Sequence, residues 1–287
     1  MPNSVSKVRI ASLTLLAMTA FAGNSLLCRA ALKETAIDPA SFTTIRLIAG
    51  AIVLMLVVQA RGGTRAGSGN WVSACALFAY AAGFSFAYVS LPAASGALLL
   101  FGAVQATMIG YGICSGERPR GLQAGGILLA LGGLVGLLLP GLSAPPLQGS
   151  LLMLAAGTAW GVYSLRGKGA GDATRVTAGN FLRAAPISAC LSLVMFNHMS
   201  IDMAGILYAV ASGALASGIG YAIWYTALPA LRAASAASVQ LSVPVIAALG
   251  GITFLGESIT LRLILASTAI LGGIALVILN PPRAGGR

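Results

Sequence analysis

Aromatic side chains recur at helical spacing in three places along this chain. Tyr80, Phe84 and Tyr88 stand at i, i+4 and i+8, which puts three rings on one helix face. Tyr221, Trp224 and Tyr225 form a second group, and Trp160 with Tyr163 a third, one turn apart. Ring faces stack on ring faces and attract cations, so such walls suit flat, partly apolar solutes. The competing reading is plain helix packing, or a belt at the membrane surface, which fits Trp71 near a helix end. Uncharged polar residues within the apolar stretches are few, and the amides of Asn24, Gln105 and Gln240 stand out. An amide facing lipid is costly, so each must bond a neighbouring helix or face a solute. Asn180 reads as structural.

Arg46 and Arg183 lie inside apolar stretches, about 10 Å from an end at about 1.5 Å per residue. Their long stems suit snorkelling to the interface; the guanidinium fork equally suits a solute carboxylate or a gate. The acids Glu34, Asp38, Glu117, Asp172, Asp202 and Glu257, and His198, all fall at loops or stretch ends. An enzyme needs a nucleophile and base, or metal ligands, within reach of one another. These residues assemble neither, so no catalytic residue, metal or cofactor is expected. Proton-driven pumps commonly carry an acid or histidine at mid-membrane; the absence of one points to a facilitator. Cys28, Cys75, Cys114 and Cys190 have no CxxC spacing and read as packing residues. A channel filter such as TVGYG, or an acidic ring, is also missing from the sequence.

The elements that must position these residues are membrane helices. Hydrophobic residues make up 57% of the 287, only 8% are charged, and mean hydropathy is +0.91. A soluble domain is about 45–50% apolar and about 25% charged. Spans of about 20 residues fit at about 8–28, 40–60, 70–90, 93–114, 121–140, 148–166, 176–196, 204–226, 234–255 and 260–279. The fold class is all-α, with an uncleaved first helix. Pro92 and Pro229 mark tight turns between spans, while Pro186 and Pro244 are bend candidates within them. Gly132 and Gly136, and Ala209, Gly213 and Ser217, offer small faces for close helix packing. Tyr111 and Tyr208 read as packing residues.

The chain also repeats itself. Phe84, Tyr88, Leu91, Pro92 and Ala93 match Tyr221, Tyr225, Leu228, Pro229 and Ala230, and Arg46 matches Arg183. Thr19-Ala20-Phe21 matches Thr158-Ala159-Trp160, Gly132-Gly133 matches Gly272-Gly273, and Gly116-Glu117 matches Gly256-Glu257. Five spans match in order, giving halves 1–143 and 144–287. An odd number of spans per half turns the second upside down, the arrangement that alternating access about a midplane site requires. Net charge +11 is explained by basic residues in cytoplasmic loops rather than by nucleic acid. Lys7, Arg9, Arg61, Arg65, Arg118, Arg120, Arg166, Lys168, Arg175, Arg232, Arg283 and Arg287 fall on one side; Arg29, Lys33 and Arg262 fall on the other. Both termini are therefore expected in the cytoplasm.

The Thr-Ala-aromatic runs, Arg46 and Arg183, Ala227-Leu228-Pro229-Ala230 and the paired Gly-Glu ends resemble the drug/metabolite transporter superfamily, in particular its EamA-type ten-helix exporters. Within that group the aromatic amino acid exporters look nearest. The resemblance implies a bacterial inner-membrane exporter whose cavity is lined by helices 1–4 and 6–9, with 5 and 10 as outer supports. The expected partners are a small-molecule substrate and membrane lipid, with no nucleic acid; a monomer is plausible. Amino acids, aromatic ones included, lead as substrates. Drugs or nucleobase-like solutes, or a non-transporting assembly role, stay open. Asn24, Tyr80, Phe84, Tyr88, Gln105, Trp160, Tyr163, Tyr221, Trp224, Tyr225 and Gln240 are the candidate solute contacts. Arg46, Pro92, Arg183, Pro229 and Pro244 are the candidate gates or hinges.

Overall fold

The computed structural model describes residues 7–62, 69–116, 118–119, 121–141, 143–167, 171–231 and 233–279. Among them the chain forms helices and no strand. The helices are α1 (Lys7–Glu34), α2 (Pro39–Ala60), α3 (Trp71–Tyr88), α4 (Ala93–Cys114), α5 (Leu122–Leu138), α6 (Leu147–Gly167) and α7 (Ala173–Val194). Helix α8 begins as Met203–Ala211, passes through a π-helical segment Ser212–Ile219, resumes as Gly220–Ala227 and ends in the 3-10 turn Leu228–Ala230. Helix α9 comes in two pieces, Ala233–Gln240 and Ser242–Leu255, and α10 is Leu261–Leu279. Glu117, Arg120, Lys168 and Arg232, and the basic residues Arg65, Arg283 and Arg287, lie outside the described residues.

Local signals account for most boundaries. Asp38 caps α2 by accepting from the Ala40 and Ser41 amides, and Pro39 occupies the first turn, where its missing N–H costs nothing. Asn70 caps α3 and Asp172 caps α7 in the same manner. Gly256, at φ 60°, ends α9 in the left-handed conformation open to glycine. Pro92 and Pro229 both sit at turns between helices, as expected. Pro244 breaks α9 one turn upstream, at Leu241, because it clashes with the carbonyl four residues back. Pro186 lies inside α7 without ending it.

Among the described residues, seven helices are long and apolar enough to cross a bilayer: α1, α2, α3, α4, α8, α10 and the Ala236–Leu255 stretch of α9. Helix α5, at 17 residues, is marginally short. Helices α6 and α7 have the length, 21 and 22 residues. They are less apolar because they carry Ser164, Arg166, Thr177, Asn180 and Arg183. The protein is a multi-pass, all-α membrane protein.

Contacts between connections sort the helix ends into two sets. At one end Arg29 meets the α3–α4 turn and Glu257, Asp38 meets Ser200, and Arg262 donates to the Leu139 carbonyl. At the other Arg61 meets Thr174 and Thr226, and Arg166 meets Asn70 and Ser73. Successive helices therefore run up and down. The principal packing pairs are α3 with α6, α4 with α6, α3 with α7, α2 with α7, α4 with α9 and α5 with α10, and also α1 with α8 and α9 and α2 with α8. Advancing every first-half helix by five, and setting every second-half helix back by five, returns the same set of pairs.

Small residues let the backbones touch, though not all on the expected face. A side-chain carbon on Gly213 would strike the Arg46 carbonyl, and Ala209 and Ser217 are buried beside it. That face of α8 packs on α2 as expected. On α5 the expectation is corrected: carbons added at Gly132 or Gly136 would meet nothing within 4 Å. The tight positions are one residue round, where Gly133 would meet Ala269 at 2.7 Å and Gly126 would meet the Gly273 carbonyl at 2.5 Å. Spacing alone does not say which glycine face looks at protein and which at lipid. Gly273→Val is expected to lower the melting temperature of detergent-purified protein by the equivalent of about 1–3 kcal/mol. Gly136→Val should leave it unchanged, and a fluorescence melting series measures both.

Candidate functional site

Among the described residues, polar groups and rings collect in the space between α1, α3, α4, α6, α7, α8 and α9. The Trp160 ring, on α6, stands at its centre. It stacks on Tyr221 at 5.3 Å and 22° and on Tyr163 at 5.2 Å and 25°, and lies 4.8 Å from Tyr80. Phe21, from α1, sets its edge against Tyr221 and Trp224. Such pairs each contribute about 0.5–1.5 kcal/mol beyond burial, so the rings hold one another in place.

Beside them is a cavity of about 460 Å³, inside the about 300–1,000 Å³ usual for small-molecule sites. Gln105, Trp160, Tyr163, Tyr221, Trp224, Tyr225 and Gln240 line it, with Phe21, Thr177, Asn180 and Arg166. A small lobe of about 30 Å³ continues inward between Asn24, Tyr80, Phe84, Trp160, Tyr221 and Gln240. Ten of the eleven sequence-chosen contacts thus face one connected space. Tyr88 does not: it is fully buried, with its hydroxyl on the Ala93 carbonyl. No residue of α2 or α5 or α10 appears in either wall, so α2 stands behind the lining rather than in it. Its inward face is occupied by α7 and α8.

Asn24 and Asn180 are each tied to a second element, whereas Gln240 bonds its own helix. The Asn24 amide donates to the Tyr80 hydroxyl at 3.2 Å and accepts from Ser212 at 2.6 Å, at the first residue of the π segment. A π turn inside an α-helix is a frequent mark of functional sites; here its small residues Gly213 and Gly218 bring α8 against α2. Asn180 donates to the Tyr163 hydroxyl at 3.3 Å and accepts from the Asn70 amide at 2.9 Å. It is the structural residue that the sequence suggested and a lining residue as well, which the sequence did not suggest. The Gln240 side chain donates to the Ala236 carbonyl at 3.3 Å. At the mouth, Arg166 donates to Ser73 and Asn70 and Arg61 to Thr174 and Thr226.

The opposite end is shut. Arg29 and Glu257 form an ion pair at 3.2 Å, with side chains 12% and 11% exposed. The same guanidinium donates to the Tyr88 carbonyl at 2.9 Å and the Val89 carbonyl at 3.1 Å, and the Ala93 amide donates to Glu257 at 2.8 Å. Lys33 adds a bond to the Leu255 carbonyl at 3.1 Å. The ends of α1 and α9 and the α3–α4 turn are thereby tied over the cavity. Below this latch Tyr88 meets Phe84 edge-on at 4.7 Å, and Phe84 meets Tyr80 at 5.5 Å. The latch explains why α1 continues to Glu34, past the expected end at about residue 28: its last turns carry Arg29 and Lys33. Sequence reading missed the pair because the two residues lie 228 positions apart.

The two arginines in apolar stretches part company. Arg183 is half-buried and bends back to the Gly179 carbonyl at 2.9 Å, towards the open end. Arg46 is 1% exposed and does not reach an interface.

Comparison with known proteins bears on this arrangement. The model of the EamA-like transporter family matches residues 147–279. An uncharacterized protein of Pseudomonas aeruginosa is 59% identical over 275 residues, covering 95% of each chain. The threonine/homoserine exporter RhtA of Salmonella typhimurium is 34% identical over 146 residues, 48% of each chain. A solved crystal structure aligns with TM-score 0.68 at 24% identity, over 95% of this chain and 99% of its own; that likeness concerns the fold alone.

The latch makes a direct prediction. In a background with Cys75, Cys114 and Cys190 replaced by alanine, buried Cys28 should resist a membrane-impermeant thiol reagent. Glu257→Arg or Arg29→Glu should speed its labelling, and the exchanged pair Arg29→Glu with Glu257→Arg should slow it again.

Proposed function

The chain belongs to the EamA-like transporter family, and on that premise we propose that it exports small metabolites by alternating access, with amino acids, aromatic ones included, as the leading substrates. The observation that carries this reading is the one-ended cavity. A ring-lined chamber of solute size opens between α3, α6, α7 and α8 and is closed at the far end by an ion pair tied to three chain segments. The distribution of basic residues supports a cytoplasmic open end: Lys7, Arg9, Arg61, Arg118, Arg166 and Arg175 lie on that side, against Arg29, Lys33 and Arg262 at the sealed end. The conformation is then loading from the cytoplasm, with both termini on that side of a bacterial inner membrane.

Two inverted halves, 1–143 and 144–287, supply the alternation. Support comes from helix pairing that survives exchange of the halves, and from matched positions doing matched jobs. Asp38 and Asp172 cap α2 and α7. Gly133 and Gly273 are each held against the partner helix in the α5–α10 contact. The repeat register also carries Arg29 onto Lys168 and Glu257 onto Glu117, two residues outside the described set. In this mechanism the latch separates, α3–α4 swing about Pro92 and α8–α9 about Pro229, and the solute leaves on the far side.

Substrate choice follows from the walls. Stacked rings take flat or apolar bodies, and the amides of Gln105, Asn180 and Gln240 offer both donors and acceptors. The likeness of half the chain to an exporter named for threonine and homoserine favours amino acids. Among the described residues that line the cavity and its lobe there is no Asp, Glu or His. On that basis the protein runs solute down its own gradient.

Efflux from proteoliposomes, scored for saturation and mutual competition across amino acids, nucleobases and planar drugs, tests the proposal. Saturable efflux of amino acids is expected; saturation only with drugs or nucleobases shifts the substrate class, and no transport of any solute rejects an exporter. Trp160→Ala removes stacking contacts worth about 1 kcal/mol each, so KM for phenylalanine should rise several-fold while that for small polar amino acids changes less. An imposed proton gradient of either sign should leave the rate unchanged; strong acceleration would overturn uncoupled transport.

A further inference from the structure

We propose that Arg46 is an anion station on the transport path, where the carboxylate of the solute is received when the sealed end opens. The inference rests on the export reading above and adds to it a required group on the solute and the side chain that reads it.

Arg46 is the unusual charge of this molecule. It is 1% exposed, one Nη donates to the Ala81 carbonyl at 3.1 Å, and the other, Nη1, has no partner. Its guanidinium carbon lies 5.6 Å from the Tyr80 ring centre and 5.0 Å from that of Phe84. Ring faces compensate a cation only in part. The ion pairs among the described residues are Arg29–Glu257 and Arg175–Asp172, so no carboxylate neutralises Arg46. A guanidinium cannot shed its proton to escape the cost of burial. Arg183, its equivalent in the repeat, has no such difficulty, since it bonds Gly179 and is half-buried.

Position supplies the second observation. Tyr80 and Phe84, the rings that cover the guanidinium, are also walls of the inner lobe. A single layer of rings thus separates the unpartnered N–H from the transport space. That lobe joins the main cavity through Phe21, Trp160, Tyr221 and Gln240, which line both. Beyond Phe84 lie Tyr88 and the backbone to which Arg29 and Glu257 are latched. The rings of Tyr80, Phe84 and Tyr88 thus lead from the lobe, past Arg46 behind them, to the latch. Parting of α3 from its neighbours, which release of the latch permits, would uncover the fork on the side from which the solute arrives. A carboxylate matches that fork in charge and in its two-oxygen geometry. The aromatic body of the solute would meanwhile keep the stack with Trp160 and Tyr221. Solutes of this class carry one free carboxylate on a compact body; their amides and esters lack the matching group.

Matched pairs test this in proteoliposomes: L-phenylalanine against L-phenylalaninamide, and L-threonine against L-threoninamide. The wild type is expected to prefer each acid by at least about tenfold in kcat/KM, because a buried donor left unpaired discriminates strongly. Arg46→Gln should abolish that preference, bringing the acid-to-amide ratio of kcat/KM to about one because the acids lose far more than the amides. Arg46→Lys keeps the cation without the fork and should retain the preference with a raised KM, which keeps the test alive where the neutral variant folds poorly. If Arg46 serves only to pack α2 on α3, acids and amides fall together in Arg46→Gln, and that result overturns the proposal. Equal handling of acid and amide by the wild type overturns it too, yet leaves export intact. Absence of transport for every pair removes the export reading and this inference with it.

Discussion

In the hydrocarbon layer a polar group has only protein or enclosed water to bond to, and the rest of this structure answers to that constraint. Two polar wall residues are held by other elements: Asn24 by Tyr80 and Ser212, Asn180 by Tyr163 and Asn70. Those bonds fix where the rings can stand. Tyr80 is set by Asn24, and Trp160 then stacks between Tyr80, Tyr163 and Tyr221. The chamber is a consequence of satisfied amides as much as of aromatic side chains. Helices α6 and α7, which carry most of that polarity, are for the same reason less apolar than their neighbours.

The two ends of the bundle spend charge differently. At the sealed end the charges face one another, Arg29 on Glu257 with backbone carbonyls and an amide completing the set. A largely buried pair of this kind stabilises a closed arrangement only modestly, since desolvation offsets much of the attraction. That suits a latch that must release. At the open end Arg61 and Arg166 bond neutral side chains and keep access to water. Between the two lies Arg46, enclosed and without a counter-ion. Pairing, solvation and neither are thus found at three places in one bundle. The glycine contacts of α5 with α10 stand apart from these charges, as supports of the bundle.

Much of the site was legible because it is local. Tyr80 and Phe84 share a face since they are four residues apart, and Tyr221, Trp224 and Tyr225 do so by the same geometry. What a face looks at is another matter. Tyr88 keeps the spacing of Tyr80 and Phe84 but lies one turn nearer the latch, so it closes the path instead of lining the chamber. Gly132 and Gly136 keep the small-residue spacing yet meet nothing, while Gly133 and Gly126 carry the contact. The π segment in α8 had no foreseen signal beyond its run of small residues.

By itself the sequence determined an all-helical membrane protein, ten helices with turns at Pro92 and Pro229, and the residues from which a ring-lined site is made. Composition and short-range periodicity settle these, because lipid permits few alternatives to a helix. Only the tertiary structure decided which end is closed, that Arg29 meets Glu257 across 228 positions, and that Arg46 is enclosed while Arg183 is not. Pairings of that kind depend on how far helices tilt and slide against one another. The periodicity along each helix is the same whatever those tilts and offsets are.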